Sequence, residues 1–199
     1  MATIGLDGLY YAPITEAANG DETYGTPVKL AGAIQADLNI ENYDAQLDAD
    51  NGVYEKIKEF KKGTLSLKVA ELIPEAAVAM LGVTKDSNGV IVSTAEDITA
   101  AVAVAYRALK ANGKYRYFWL YRVKFSTPST NLATKGDSIT FQTPTIEGTI
   151  MRRNKVDGGG KHPWKVEVTE GETGVTAATI EGWTTAVYEP SYPAAQNNH

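Results

Sequence analysis

Hydrophobic and polar residues alternate with a period of two along much of this chain, and one stretch departs from it toward a helical period. Val28–Ile40 alternates in part, with Leu30, Gly32, Ile34, Ala36, Leu38 and Ile40 on one side, and reads as a strand. Tyr43–Ala49 and Val53–Phe60 flank Asp50-Asn51-Gly52, a hairpin signal. Thr64–Ala70 alternates cleanly, and Ala100–Leu109 with Tyr115–Phe125 around Asn112-Gly113 is the strongest hairpin in the chain. Val90–Ser93, Ser138–Thr143, Thr145–Arg153 and Trp164–Thr169 read as further short strands, broken by Pro144 and by Asp157-Gly158-Gly159-Gly160. The exception is Pro74–Gly82, with Pro at the start, Glu75 in the first turn, good helix formers after it and Gly just past the end. The pattern therefore predicts a mainly β fold, a sandwich or partial barrel, with one short helix. Residues 1–27 read as an N-terminal arm or loop with a short strand at Leu9–Ala12. Residues 28–170 read as the β domain and 171–199 as a loose tail.

A two-residue turn at Asn112-Gly113 places Ala108 opposite Tyr117, Tyr106 opposite Trp119 and Val104 opposite Tyr121. That register gathers the aromatics Tyr106, Tyr117, Trp119 and Tyr121 on one face, the expected core face. The other face carries Arg107 and Leu109 against Arg116, Phe118, Leu120 and Arg122. It is too apolar for plain solvent and too charged for a core, so these six residues are the candidate subunit interface.

A turn at Asn51-Gly52 likewise places Asp48 opposite Glu55 and Asp44 opposite Glu59. Like charges directly opposite destabilise a hairpin. Asp44, Asp48, Asp50, Glu55 and Glu59 are accordingly candidates for a surface that repels polyanions, or else the segment is an acidic loop without that register. Asp48-Ala49-Asp50-Asn51-Gly52 with Glu59 superficially matches a calcium loop. It fails where Gly52 offers no side-chain ligand and Val53 replaces the turn glycine.

Composition narrows the chemistry. The chain has 199 residues, 43% hydrophobic and 22% charged, which suits one globular domain with extensions. It has no cysteine, so disulfides and thiolate zinc sites are excluded. Only His162 and His199 are present, without a nucleophile or carboxylate arrangement around them, so a Ser-His-Asp hydrolase has no support. Gly158-Gly159-Gly160-Lys161 lacks the Ser or Thr, the spacing and the helix of a phosphate loop. No catalytic residue, cofactor or metal ligand is expected. The formal charge of −5 disfavours tight binding to nucleic acid, because phosphate neutralisation needs a basic excess. Met1-Ala2-Thr3-Ile4-Gly5 lacks the features of a signal peptide, and no run reaches the ~18 apolar residues of a membrane span, so a protein made and used in a cytoplasm, or exported by a non-secretory route such as cell lysis, is expected.

Several stretches carry a resemblance. They are Gly5–Ala12, Tyr24-Gly25-Thr26-Pro27, Leu30-Ala31-Gly32-Ala33 and Asn112–Tyr121, then Lys135-Gly136-Asp137 and Phe141–Gly148. In order and spacing they resemble the major tail proteins of long, non-contractile-tailed bacteriophages of Gram-positive bacteria, over residues 5 to 170. The resemblance implies a tail-tube-like fold and a virion protein assembled in the host cytoplasm. It implies a homo-oligomer of six-membered rings whose strands form a continuous inner barrel, with a helix packed outside. The rings stack through loops and terminal arms, with tape-measure, tail-tip and tail-terminator proteins as partners, and DNA transits the bore. On that reading the five acidic residues supply lumen or ring-stacking charge. The alternative from another class is a cell-surface or capsid-decorating β-sandwich that binds a receptor or glycan.

Overall fold

A computed structural model describes residues 2–18, 20–49, 52–129, 134, 141 and 143–192, with the backbone alone for 48, 49, 52 and 53. The mainly β expectation holds. The strands are β1 (Thr3–Glu16), β2 (Glu22–Tyr24), β3 (Val28–Lys29), β4 (Ala33–Ala49), β5 (Gly52–Val69), β6 (Thr84–Lys85), β7 (Ile91–Val92), β8 (Ala101–Lys110), β9 (Tyr115–Phe125), β10 (Thr145–Ile150) and β11 (Lys165–Thr169). Helix α1 spans Pro74–Leu81 and α2 spans Ala177–Gly182. The main sheet runs β2-β1-β8-β9-β10-β5-β4, with β11 also on β9 and β3 also on β1. Its strand pairs are antiparallel. The sequence expectation of a strand at Ser138–Thr143 and the Lys135–Asp137 motif fall largely outside the described residues.

Helix α1 begins and ends where its residues dictate. Pro74 occupies the first turn, where its missing N–H costs nothing, and Gly82 closes the helix in the left-handed region with φ 74°. The sequence pattern does not predict the second helix. Thr176 caps it by accepting from the Thr179 amide at 3.2 Å.

The central hairpin differs from its expected register by one residue. Lys110 N donates to Lys114 O at 2.9 Å and Gly113 N to Lys110 O at 3.0 Å, which makes Ala111-Asn112-Gly113 a three-residue loop. Gly113, at φ 78°, takes the left-handed position that such a loop requires. Tyr106 is therefore opposite Phe118, Ala105 opposite Trp119 and Val104 opposite Leu120. A further register shift between Val102 and Val104 inserts an extra residue on β9.

This register buries β9 on both faces. Phe118, Leu120, Val123 and Phe125 join Val102, Val104 and Tyr106 in a core closed by α1 through Ala76, Met80 and Leu81 and by Leu65, Leu67 and Ile146 of β5 and β10. Tyr117, Trp119 and Tyr121 point the other way, into a second core with Ala12, Ala103, Ala105, Trp183 and Val187. The expected single aromatic face is thus split, with Tyr106 on one side of the sheet and Tyr117, Trp119 and Tyr121 on the other.

Both expected extensions are part of the fold as far as Tyr192. Instead of an arm, residues 3–16 form a strand that pairs with β8 from Thr3↔Lys110 to Pro13↔Val102. Instead of a loose tail, residues 171–192 cover the second core. Trp119 Nε1 donates to Trp183 O at 2.9 Å, and the Tyr121 hydroxyl donates to Tyr188 O at 2.7 Å. Trp183 stacks on Tyr188 with ring centroids 5.1 Å apart. The physical reason is the strand buried on two faces, which exposes a broad aromatic surface unless something covers each side.

Two outcomes follow from this packing. Trp183→Ala removes a side chain only 2% exposed and should cost about 3–5 kcal/mol of stability in urea unfolding, where a loose tail would cost nothing. At the end of the same segment, Tyr192 donates to Asp157 Oδ2 at 2.7 Å, and Oδ1 accepts from the amides of Gly159 and Lys161 at 2.9 and 2.8 Å. The Lys161 amide first, then Tyr192, hold the Asp157 carboxyl below its ordinary range. A lowered folded pKa gives stability that is present above the unfolded value, about 3.9, and is lost as pH falls through the folded value. Acid unfolding below about pH 4 should therefore be less steep in Asp157→Asn than in the parent protein.

Candidate assembly surface

Two strands expected as four are continuous. β4 and β5 pair from Ala33↔Val69 to Ala49↔Gly52, and the ladder runs through Asn42 and Gly63, turn-type residues that suggest breaks in the sequence. Gly63 permits the passage: a Cβ there would lie 2.8 Å from Ile40 Cδ1. The first half of this ribbon belongs to the sheet, where Leu65, Leu67 and Val69 are buried. The second half leaves it. Every described side chain from 43 to 47 and from 54 to 59 is exposed. At a rise of ~3.3 Å per residue, the seven residues of Tyr43–Ala49 extend it roughly 20 Å past the sheet.

The exposed ribbon carries large apolar groups: Tyr43 is 59% exposed, Leu47 56%, Tyr54 74% and Ile57 49%. A two-stranded ribbon is only marginally stable by itself, and a monomer gains nothing from displaying these side chains to water. The ribbon also ends the sheet. Among the described residues β4 pairs only with β5, leaving its outer edge without a ladder partner, the condition that proteins ordinarily cover or blunt.

The register changes the electrostatics expected of this hairpin. Asp44 lies opposite Lys58, Glu59 opposite Tyr43, Glu55 opposite Leu47 and Asp48 opposite Val53. The expected pairs Asp44–Glu59 and Asp48–Glu55 do not form, because the shift at Glu41/Asn42 displaces the strands by one residue and that at Leu47/Asp48 by one more. Asp44 instead reaches Lys56 at 3.6 Å and Lys58 at 3.8 Å, and Glu41 reaches Lys62 at 3.4 Å and Lys61 at 3.9 Å. Glu55 and Glu59 stand beside Tyr43, Leu47 and Ile57 and have no ion partner among the described residues. Asp50 lies outside the described residues, and Asp48 is described by its backbone alone.

The six residues of the candidate interface are not one open face. Leu120 is fully buried under α1's side of the sheet. Phe118 is stacked on Tyr106 with centroids 4.9 Å apart, and Leu109 is half-buried opposite Tyr115. The extra residue on β9 turns Arg122 to the opposite side from Leu120. Each arginine has a carboxylate. Arg107 makes a fork with Asp7 at 2.6 and 3.1 Å, which raises its pKa further, and its guanidinium lies 4.2 Å from the Tyr115 ring centroid. Arg116 pairs with Glu167. Arg122 pairs with Glu16 at 2.7 Å and with the buried Glu22, whose other oxygen accepts from the Asn154 amide at 2.9 Å. Near it, the fully buried Arg153 pairs with Glu189 at 2.8 Å and lies over the Tyr121 ring.

The exposed residues Tyr43, Leu47, Tyr54 and Ile57 are not among the sequence candidates. Their signal is present as an apolar residue on both faces of a hairpin, but it is hidden when the four strand segments are treated as separate elements.

No family model matches the sequence, and no curated protein matches it. Among solved structures, the chain is similar to the anti-feeding prophage cap, the cap that terminates the AFP tube, determined by cryo-electron microscopy. The TM-score is 0.39 at 11% identity, covering 80% of this chain and 87% of that one.

The two kinds of ion pair should separate on mutation. Glu22→Ala leaves Arg122 and the Asn154 amide short of a buried acceptor and should cost about 3 kcal/mol in urea unfolding. Asp44→Ala on the exposed ribbon should cost less than about 1 kcal/mol.

Proposed function

We propose that this chain is a structural, non-enzymatic subunit that polymerises with copies of itself into a tube, the role that the sequence resemblance to phage major tail proteins implies. The observation that carries the reading is the ribbon from Tyr43 to Glu59, which extends apolar side chains beyond the sheet where no described residue covers them. An extension of that kind is stable when a neighbouring subunit receives it. Contacts between different surfaces of identical subunits close into rings if the rotation closes and otherwise extend into filaments; stacked rings use both. The free edge of β4 supports the same reading, since sheet edges are satisfied when subunits meet.

The charge suits a conduit. A net charge of −5 works against phosphate neutralisation, so DNA passing such a tube would slide without being held. With Asp44 neutralised by Lys56 and Lys58, Glu55 and Glu59 are the ribbon carboxylates that keep their charge among the described residues. Tail-tip, tape-measure and terminator proteins are the partners of this role, and the virion tail its location.

Negative-stain electron microscopy across concentration, with light scattering beside it, tests the reading. Hollow tubes or stacked rings are the expected result, with or without a tail-tip complex as initiator. Leu47→Thr/Ile57→Thr should abolish them while leaving the unfolding free energy within about 0.5 kcal/mol of the parent, because both side chains are exposed and Thr suits a strand. A protein that stays monomeric even with the tail-tip complex supplied would sink the tube and favour the receptor- or glycan-binding sandwich.

A further inference from the structure

We propose that the ribbon of one copy is received by the cleft between β1 and β4 of a second copy, with Glu55 meeting Arg116. The proposal rests on the self-assembly reading above and assigns its acceptor. The ribbon has two unlike faces. On one, Asp44 is neutralised by Lys56 and Lys58. On the other, Leu47 and Ile57 stand beside Glu55 and Glu59, which lack ion partners among the described residues. Such a face wants an apolar surface with a cation in it.

The cleft supplies that chemistry. It has a volume of about 390 Å³ and lies where the start of β1 approaches the start of β4. Its walls are mixed, with Leu6, Ile34, Ala36 and Phe118 between the polar Thr3 and Gln35, and Arg116 stands among them. The Arg116 guanidinium gives one terminal nitrogen to Glu167, but its Nε is buried and donates to no group among the described residues. The Arg116 side chain is nevertheless 41% exposed, so the guanidinium can take a second, incoming carboxylate. The strands on either side add to the attraction. β1 from Thr3 to Gly8 has β8 on one side and no ladder partner on the other among the described residues, and the outer edge of β4 is free as well. Ile34 is 47% exposed at the mouth, so the apolar lining continues to the surface. Ribbon and cleft are different surfaces of the chain, so their union is head-to-tail and each bound copy offers a new ribbon or a new cleft.

The absence of cysteine makes the test direct. Ile57→Cys and Ile34→Cys place single thiols on the ribbon and at the cleft, both at exposed positions. A disulfide requires Cα atoms within roughly 4.4–6.8 Å, so its formation reports adjacency rather than stability. The full-length variants are mixed at concentrations where scattering reports assembly, then oxidised. The expected result is a crosslinked dimer from the mixture, a ladder of multimers from the double variant, and little from either variant alone. Glu55→Arg should raise the concentration needed for assembly at least tenfold. Polymers that form without a disulfide between the ribbon thiol and the cleft thiol, or an Ile57→Cys variant that bridges only to itself, would overturn the acceptor while leaving self-assembly intact. If scattering and microscopy show no polymer even with the tail-tip complex, the tube reading falls and this assignment falls with it.

Discussion

Strand β9 is the constraint on which the rest of the structure depends. Alternation sends Phe118 and Leu120 to one face and Tyr117, Trp119 and Tyr121 to the other, and all but Phe118 are buried. A strand that is apolar on both faces cannot sit at a solvated surface, so two covers are obligatory. Helix α1 closes one side, together with β5 and β10; the segment carrying Trp183 and Tyr188 closes the other. The pairing of β9 with β8, β10 and β11 then fixes where β1 and β4 end up, as the two strands that flank the open cleft.

Charge follows the same geometry. Around the cores, Arg107, Arg122 and Arg153 are each met by a carboxylate from a distant part of the chain, Asp7, Glu22 and Glu189. A buried guanidinium without such a partner would carry a desolvation penalty, so these pairs specify where β1, β2 and the C-terminal segment dock more than they add net stability. On the ribbon the pairs are exposed and individually weak. Asp44 is outnumbered by Lys56 and Lys58 on one face while the other face is anionic, so the ribbon is electrostatically directional.

The residues that set local structure were legible as sequence. Tyr115–Phe125 is the strand that alternation and aromatic content predict, and Pro74 with Gly82 brackets the helix. The candidate site was legible only in part. The β4–β5 hairpin could be read as charged, but not as a ribbon with exposed Tyr43, Leu47, Tyr54 and Ile57. Whether an apolar residue is covered depends on which elements pack on it, and periodicity carries no information about that. Arg107 of β8 and the Arg and Phe residues of β9 read as an unpartnered face for the converse reason. Their carboxylates and stacking partners, Asp7, Glu22, Glu167 and Tyr106, come from other strands.

The sequence by itself determined that the protein is mainly β, where its central hairpin and its first helix lie, and that thiolate chemistry is closed to it. These are properties of neighbours within one or two turns of chain, or of composition. Tertiary structure alone decided the registers. One extra residue in the Ala111–Gly113 loop and one on β9 redistribute the aromatics between two cores, and two shifts along β4 and β5 separate the opposed carboxylates and set Asp44 against Lys58. It also decided that residues 3–24 and 171–192 are structural, because Arg107 meets Asp7 and Arg122 meets Glu22 across 100 residues of sequence, and Trp119 meets the Trp183 carbonyl. A hydrogen bond between such distant groups leaves no local periodicity; it exists only once the sheet has brought them together.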